Sequence, residues 1–179
     1  MRSEHHTDCI AGYVRDVLRA ADGTLLFDSG RQKNIITDNG RKVLAGFFHG
    51  PTTTVQRIFS LRVGAGDPAW DAIATPLPSS ATVNLVDLNF YDHTTLIFEY
   101  LDPASDTVVA APTNKLQIRA QLGPHMPNWP DANHTTGTLR EYGLVARING
   151  TDTLINYRTH AAIAKDPTST LERTIWLVF

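Results

Sequence analysis

The chain of 179 residues holds one cysteine, Cys9, so it can form no internal disulfide and no multi-cysteine zinc site. Long apolar runs are also missing. Nothing approaches the roughly 20 residues needed to cross a bilayer, and Met1-Arg2-Ser3-Glu4-His5-His6 lacks the apolar stretch of a secretion signal. Basic clusters are absent: Arg15, Arg31, Arg57, Arg62, Arg119, Arg140 and Arg158 are scattered singly and the formal net charge is −2. That excludes the electrostatic footprint of a nucleic-acid binder. The glycines of Gly64-Ala65-Gly66 are followed neither by a third spaced glycine nor by Gly-Lys-Ser/Thr, so neither a dinucleotide fingerprint nor a P-loop is present. No serine lies in a G-x-S-x-G elbow, and the carboxylate pairs Asp67/Asp71 and Glu99/Asp102 give no sign of facing one cleft. The expectation is a protein without catalytic residues, cofactor or metal.

What is present is an ordered globular composition, 42% hydrophobic and 19% charged. The length fits a single domain over residues 10–179 behind a flexible polar arm, 1–9. Strand signals dominate. Ala11–Leu18 and Thr24–Phe27 flank an Asp22-Gly23 step and predict a hairpin. Ile58–Val63, Thr82–Asn89 and Thr94–Leu101 read as strands, and Lys115–Leu122 alternates strictly between apolar and polar residues. Leu139–Ile148, Thr153–Ala164 and Thr170–Phe179 close the chain, separated by turns at Gly150 and Asp166-Pro167, with Trp176 expected in the core. One helix is expected near residues 38–48: a capping cluster at Thr37–Gly40 precedes Val43, Leu44, Phe47 and Phe48 on one stripe. Many short strands with regular turns predict an all-β antiparallel sandwich.

Two loops carry the candidate contacts. Gly64–Ser80 opens with Gly64 and Gly66, which serve the exit from a strand, then places Asp67 before Pro68 and a lone Trp70 in polar surroundings. Gly123–Gly137 contains His125, Trp129, Asp131 and His134. Trp70 and Trp129 are candidate interface anchors, because aromatic side chains bury large area at low entropy cost; they could equally cap the core. Asp67 and His125 accompany them. Imidazole and carboxylate suit zinc, yet the spacing of His125, Asp131 and His134 matches no ligand motif, which favours a polar contact loop. Arg140 and Glu141 are candidate structural residues. Glu141, in an otherwise apolar strand, is either a buried carboxylate paired with Arg62 or Arg119, or an outward-facing charge.

Several segments taken in order, K-N-I-I-T-D-N-G-R-K-V-L-A at 33–45, I-F-S-L-R-V-G-A-G-D at 58–67, L-R-E-Y-G-L-V-A-R at 139–147, A-I-A-K-D-P-T-S-T-L at 162–171 and the terminal I-W-L-V-F, carry a resemblance. They resemble the bacteriophage tail-collar and tail-fibre attachment proteins, which also occur in phage-tail-like contractile injection systems. The chain departs from that pattern at 76–86, where S-S-A-T-V-N-L stands in place of a threonine-leucine-glutamate-arginine step. The resemblance implies a structural virion protein of the tail, made in the host cytoplasm. It would link baseplate or collar to fibres through contacts with other tail proteins, without nucleic acid or membrane insertion. It would also self-associate, as a trimer or with sixfold symmetry. The rival reading is a carbohydrate-binding module that recognises a receptor glycan through the loop aromatics.

Overall fold

The computed structural model describes residues 10–49, 54–73 and 75–179; the expected arm over 1–9, with Cys9, lies outside them. The strands are β1 (Ala11–Arg19), β2 (Leu25–Asp28), β3 (Gln32–Ile36), β4 (Val55–Gly64), β5 (Tyr91–His93), β6 (Leu96–Leu101), β7 (Val108–Val109), β8 (Lys115–Leu122), β9 (Thr138–Ile148), β10 (Thr151–Leu154), β11 (Asn156–Ala164) and β12 (Thr170–Val178). One helix, α1 (Asp38–His49), lies between β3 and β4. The strands form one antiparallel sheet in the order β5-β4-β9-β11-β3-β1-β12-β8-β6-β7, with β2 beside β1 and β10 beside β9. The sheet curls until β4 and β6, far apart in that order, come into contact. The all-β antiparallel class with one short helix is therefore as the sequence predicts. The two layers expected of a sandwich are facing halves of one continuous half-barrel sheet.

Local chemistry sets the turns. Asn149 (φ 49°) and Gly150 (φ 82°) join β9 to β10 as a two-residue loop with both residues left-handed, the type I′ geometry that matches strand twist. Thr37 caps α1: its hydroxyl accepts from the Gly40 N–H at 2.9 Å and donates to the Leu154 carbonyl at 2.6 Å. Only part of the helix stripe is covered. Val43 is buried and Leu44 half-buried, while Phe47 and Phe48 remain 54% and 90% exposed.

The main core joins Val14 and Leu18 of β1, Ile118 and Leu122 of β8, Leu144 of β9 and Ile175 of β12. A second cluster, Leu85, Val145, Leu154 and Tyr157, packs under the loop before β5. β9 is buried along nearly its whole length, as a strand covered on both faces must be.

Three expectations require correction. Thr82–Asn89 forms no strand; Leu85 plugs the second cluster while the neighbouring backbone bonds to a side chain, as described below. Thr153–Ala164 is broken at Ile155, whose N–H donates to the Leu144 carbonyl. Trp176 faces outward on β12, its indole N–H donating to Gln117 at 2.9 Å and the Arg31 guanidinium 4.9 Å from its ring. The inward positions of β12 are Leu171, Arg173, Ile175 and Leu177.

Arg173 is the largest fully buried side chain, and its register partner on β1 is Asp16. The two form a bidentate pair at 2.6 and 3.0 Å, with the guanidinium stacked 3.9 Å over the Tyr142 ring. The remaining contact of Arg173 is to His160 Nε2 at 3.2 Å. Since arginine only donates, that nitrogen is the acceptor and Nδ1 carries the proton, donated to the Ala161 carbonyl at 2.8 Å. Burial and the neighbouring Arg173 charge push the His160 imidazole down to about 4.

Candidate functional site

Most of the residues that stand out in the sequence converge where β4 ends. Gly66 adopts φ +61°, and a Cβ there would sit 2.6 Å from the Trp70 ring and 3.0 Å from Arg140 Cβ. Gly64 allows an equally close approach: an added Cβ would lie 2.8 Å from a Glu141 carboxylate oxygen. Asp67 then caps a 3₁₀ turn over Pro68–Asp71, its carboxylate accepting from the Ala69 N–H at 2.9 Å. This turn presses Trp70 inward, 9% exposed, and presents Asp71 to Arg140.

Arg140 donates to both Asp71 oxygens at 2.8 and 2.5 Å and to the Ala65 carbonyl at 2.9 Å. The hydrogen bonds from Arg140 hold the Asp71 carboxyl below its usual range. Glu141 is fully buried, as one of its two readings required, but its partners differ from the arginines expected. Arg62 pairs with Asp92 and Asp152, and Arg119 with Glu99. Glu141 instead accepts from the backbone N–H groups of Val86 at 3.0 Å and Asp87 at 2.7 Å, and from the Tyr157 hydroxyl at 2.6 Å. Burial, followed by the bond to Glu141, pushes the Tyr157 phenol upward, so it stays a donor. Capture of two adjacent N–H groups by one carboxylate explains why residues 82–89 join no ladder.

Asp87 completes the junction. One carboxylate oxygen accepts from the Ala65 N–H at 2.8 Å and lies 3.0 Å from His134 Nε2. The other imidazole nitrogen of His134 faces Asp131 at 2.9 Å, and its ring stacks on Trp129 with centroids 3.7 Å apart. Trp129 is 6% exposed. Two loops are thus tied to β9 through Arg140 and Glu141, and the third joins them through His134 and Asp87. His125 stands outside this junction: its side chain is exposed, φ is 59°, and its N–H donates to the Pro167 carbonyl. Among the described residues no group of three or more His, Cys, Asp or Glu side chains is placed to hold a metal.

Sequence reasoning missed three polar residues that the structure makes central. Asp87 lies in the segment read as a strand. Lys165, just after β11, is buried and donates to the Gly123 and Ser169 carbonyls at 2.9 and 2.8 Å. Arg173 carried a legible signal, since it shares the parity of Leu171, Ile175 and Leu177.

A second region has the opposite character. Beneath α1, against the concave face of the sheet, lies an apolar cavity of about 500 Å³ reaching Val43, Ile155 and Leu177. Of its lining, Phe47, Phe98, Tyr100 and Phe179 remain exposed to solvent, as does Phe48 in the last turn of α1. Compared with protein-family models, curated proteins and solved structures, the chain matches none.

Proposed function

We propose that the chain is a structural assembly module of a phage tail or tail-like particle. It docks other chains through the apolar face formed by the end of α1, β6 and Phe179. The observation that supports this reading is the exposure of Phe47, Phe98, Tyr100 and Phe179 around one concavity, with Phe48 also exposed at the end of α1. Contiguous apolar surface bounded by polar residues is characteristic of protein-interaction sites. The polar junction supports the same reading from the other side. Its ionisable groups hold one another and the backbone, which suits a rigid scaffold better than a reacting centre. The particle class rests on the ordered segments described above, and multiple copies follow from that class. The glycan reading gains no support from the indoles, because Trp70 and Trp129 both face the interior of the chain.

The test is the solution mass by light scattering at micromolar concentration. A trimer or hexamer is the expected result, and a strict monomer across a hundredfold concentration range would overturn self-association. Tail, sheath and baseplate genes beside this one would support the particle class; a neighbourhood without them would remove it.

A further inference from the structure

The cavity beneath α1 opens to solvent on one side and reaches buried side chains on the other. Ile36, Val43, Ile155 and Leu177, all buried, form its inner wall, while Phe98 and Phe179 stand at its mouth. Its volume of about 500 Å³ falls within the about 300–1,000 Å³ of small-molecule sites, which concentrate between packed elements and in the mouths of barrels. Two charged residues reach it. Glu99 is committed: its carboxylate accepts from Gln117 at 2.8 Å and from Arg119 at 3.1 Å through both oxygens. Arg57 is not; its exposed guanidinium has no hydrogen bond or ion pair among the described residues.

A bulge delivers that arginine. Between Gln56 and Ser60 β4 advances four residues while β9 advances only from Arg147 to Val145. Regular alternation would send Arg57 and Ile58 to opposite faces, yet both line the cavity, and Phe59 turns to the second core cluster. A second cavity of about 280 Å³, beside Asp16 and His160, differs in that its cation, Arg158, donates to the Lys33 carbonyl. Asp16 is held by Arg173, Asp28 by Arg15, and both His160 nitrogens are engaged.

We propose that the cavity beneath α1 binds an amphipathic anion: a small molecule with an aliphatic or aromatic body and a carboxylate or comparable anionic end. The body lies among Ile36, Val43, Leu44 and Leu177, and the anionic end pairs with Arg57, whose planar fork suits a carboxylate. The site rests on the cavity and on Arg57, its one cation without a partner among the described residues; the docking face proposed above surrounds the same cavity, but the ligand does not depend on self-association.

The experiment is calorimetric titration of the full chain with decanoate, decanol and decyltrimethylammonium, each below its micelle concentration. Decanoate is expected to bind about tenfold or more tightly than the ammonium, the difference that a hydrogen-bonded ion pair supplies. Arg57→Gln should remove that preference while keeping decanol binding, and Arg57→Glu should reverse it. Leu44→Trp, checked for folding by circular dichroism, should weaken all three by filling the cavity. No binding of any probe, equal binding by the wild-type chain, or a preference unchanged in Arg57→Gln would overturn the proposal. A monomer that binds decanoate through Arg57 upholds this site and removes self-association. An oligomer indifferent to decanoate does the reverse.

Discussion

Strand β4 carries the apolar cavity near its start, at Arg57 and Ile58, and the loop junction at its end, at Gly64. Six residues of extended chain separate them, about 20 Å. The two ends treat their side chains in opposite ways. At the junction, Arg140, Glu141, Asp87 and His134 are each hydrogen-bonded, and their partners are loops of the same chain. At the cavity the side chains other than Glu99 and Arg57 are apolar, several are open to solvent, and Arg57 has no partner among the described residues. Internal saturation is the mark of a scaffold, and unfilled apolar surface the mark of a contact still to be made.

The sharpest way to break this contrast is at Glu141. Glu141→Ala strands two backbone N–H groups and the Tyr157 hydroxyl without an acceptor, so a stability loss of about 3–5 kcal/mol is expected. Urea denaturation measures it, and a loss below about 1 kcal/mol would show that water replaces the carboxylate freely. Next comes Gly66→Ala, which imposes a left-handed backbone on an L-residue and drives a Cβ against Trp70. About 1–3 kcal/mol is expected, read in the same assay.

His160 adds a pH axis to the contrast. Its folded value of about 4 lies below the roughly 6.5 of an exposed histidine, so between these values the unfolded chain binds more protons. Stability is therefore full above about pH 6.5 and is lost as pH falls toward 4. Burial lowers the His93 imidazole as well, so both act in this acid range. His160→Gln should flatten the slope measured by thermal melts at several pH values; an unchanged slope would assign it to His93 alone. The smallest effect belongs to the open face. Phe48→Ser removes a side chain 90% exposed and should change stability by less than about 0.5 kcal/mol, while lowering the solution mass if that face is the contact. A large loss of stability would show that Phe48 supports the fold.

Legibility in the sequence followed the range of the interaction. The alternation of Lys115–Leu122 and the turn at Gly150 are local patterns, and both reappear, as β8 and as the β9–β10 hairpin. Thr82–Asn89 misled because its apolar spacing resembles a strand, while the acceptor of its N–H groups, Glu141, lies more than 50 residues away. Trp176 misled because indole is usually buried, and only the parity set by Arg173 and its partner Asp16 turns it outward. Trp70, Trp129 and Glu141 stood out as residue types in unusual surroundings, but nothing in the chain order placed them against the same three loops.

By itself, the sequence determined the all-β class, the single capped helix and most strand positions, because periodicity and turn chemistry act over a few residues. The absence of long apolar runs, basic clusters and paired cysteines also narrowed the chemistry in advance. Tertiary structure decided which charges are buried, which loops are tied together, and that α1 leaves a cavity beneath it. Those outcomes depend on the curl of one continuous sheet, which brings β4 to β6, and on the β1–β12 register, which sets Asp16 opposite Arg173. Pairing across 157 residues of chain is fixed by register and burial together, and no local pattern encodes it.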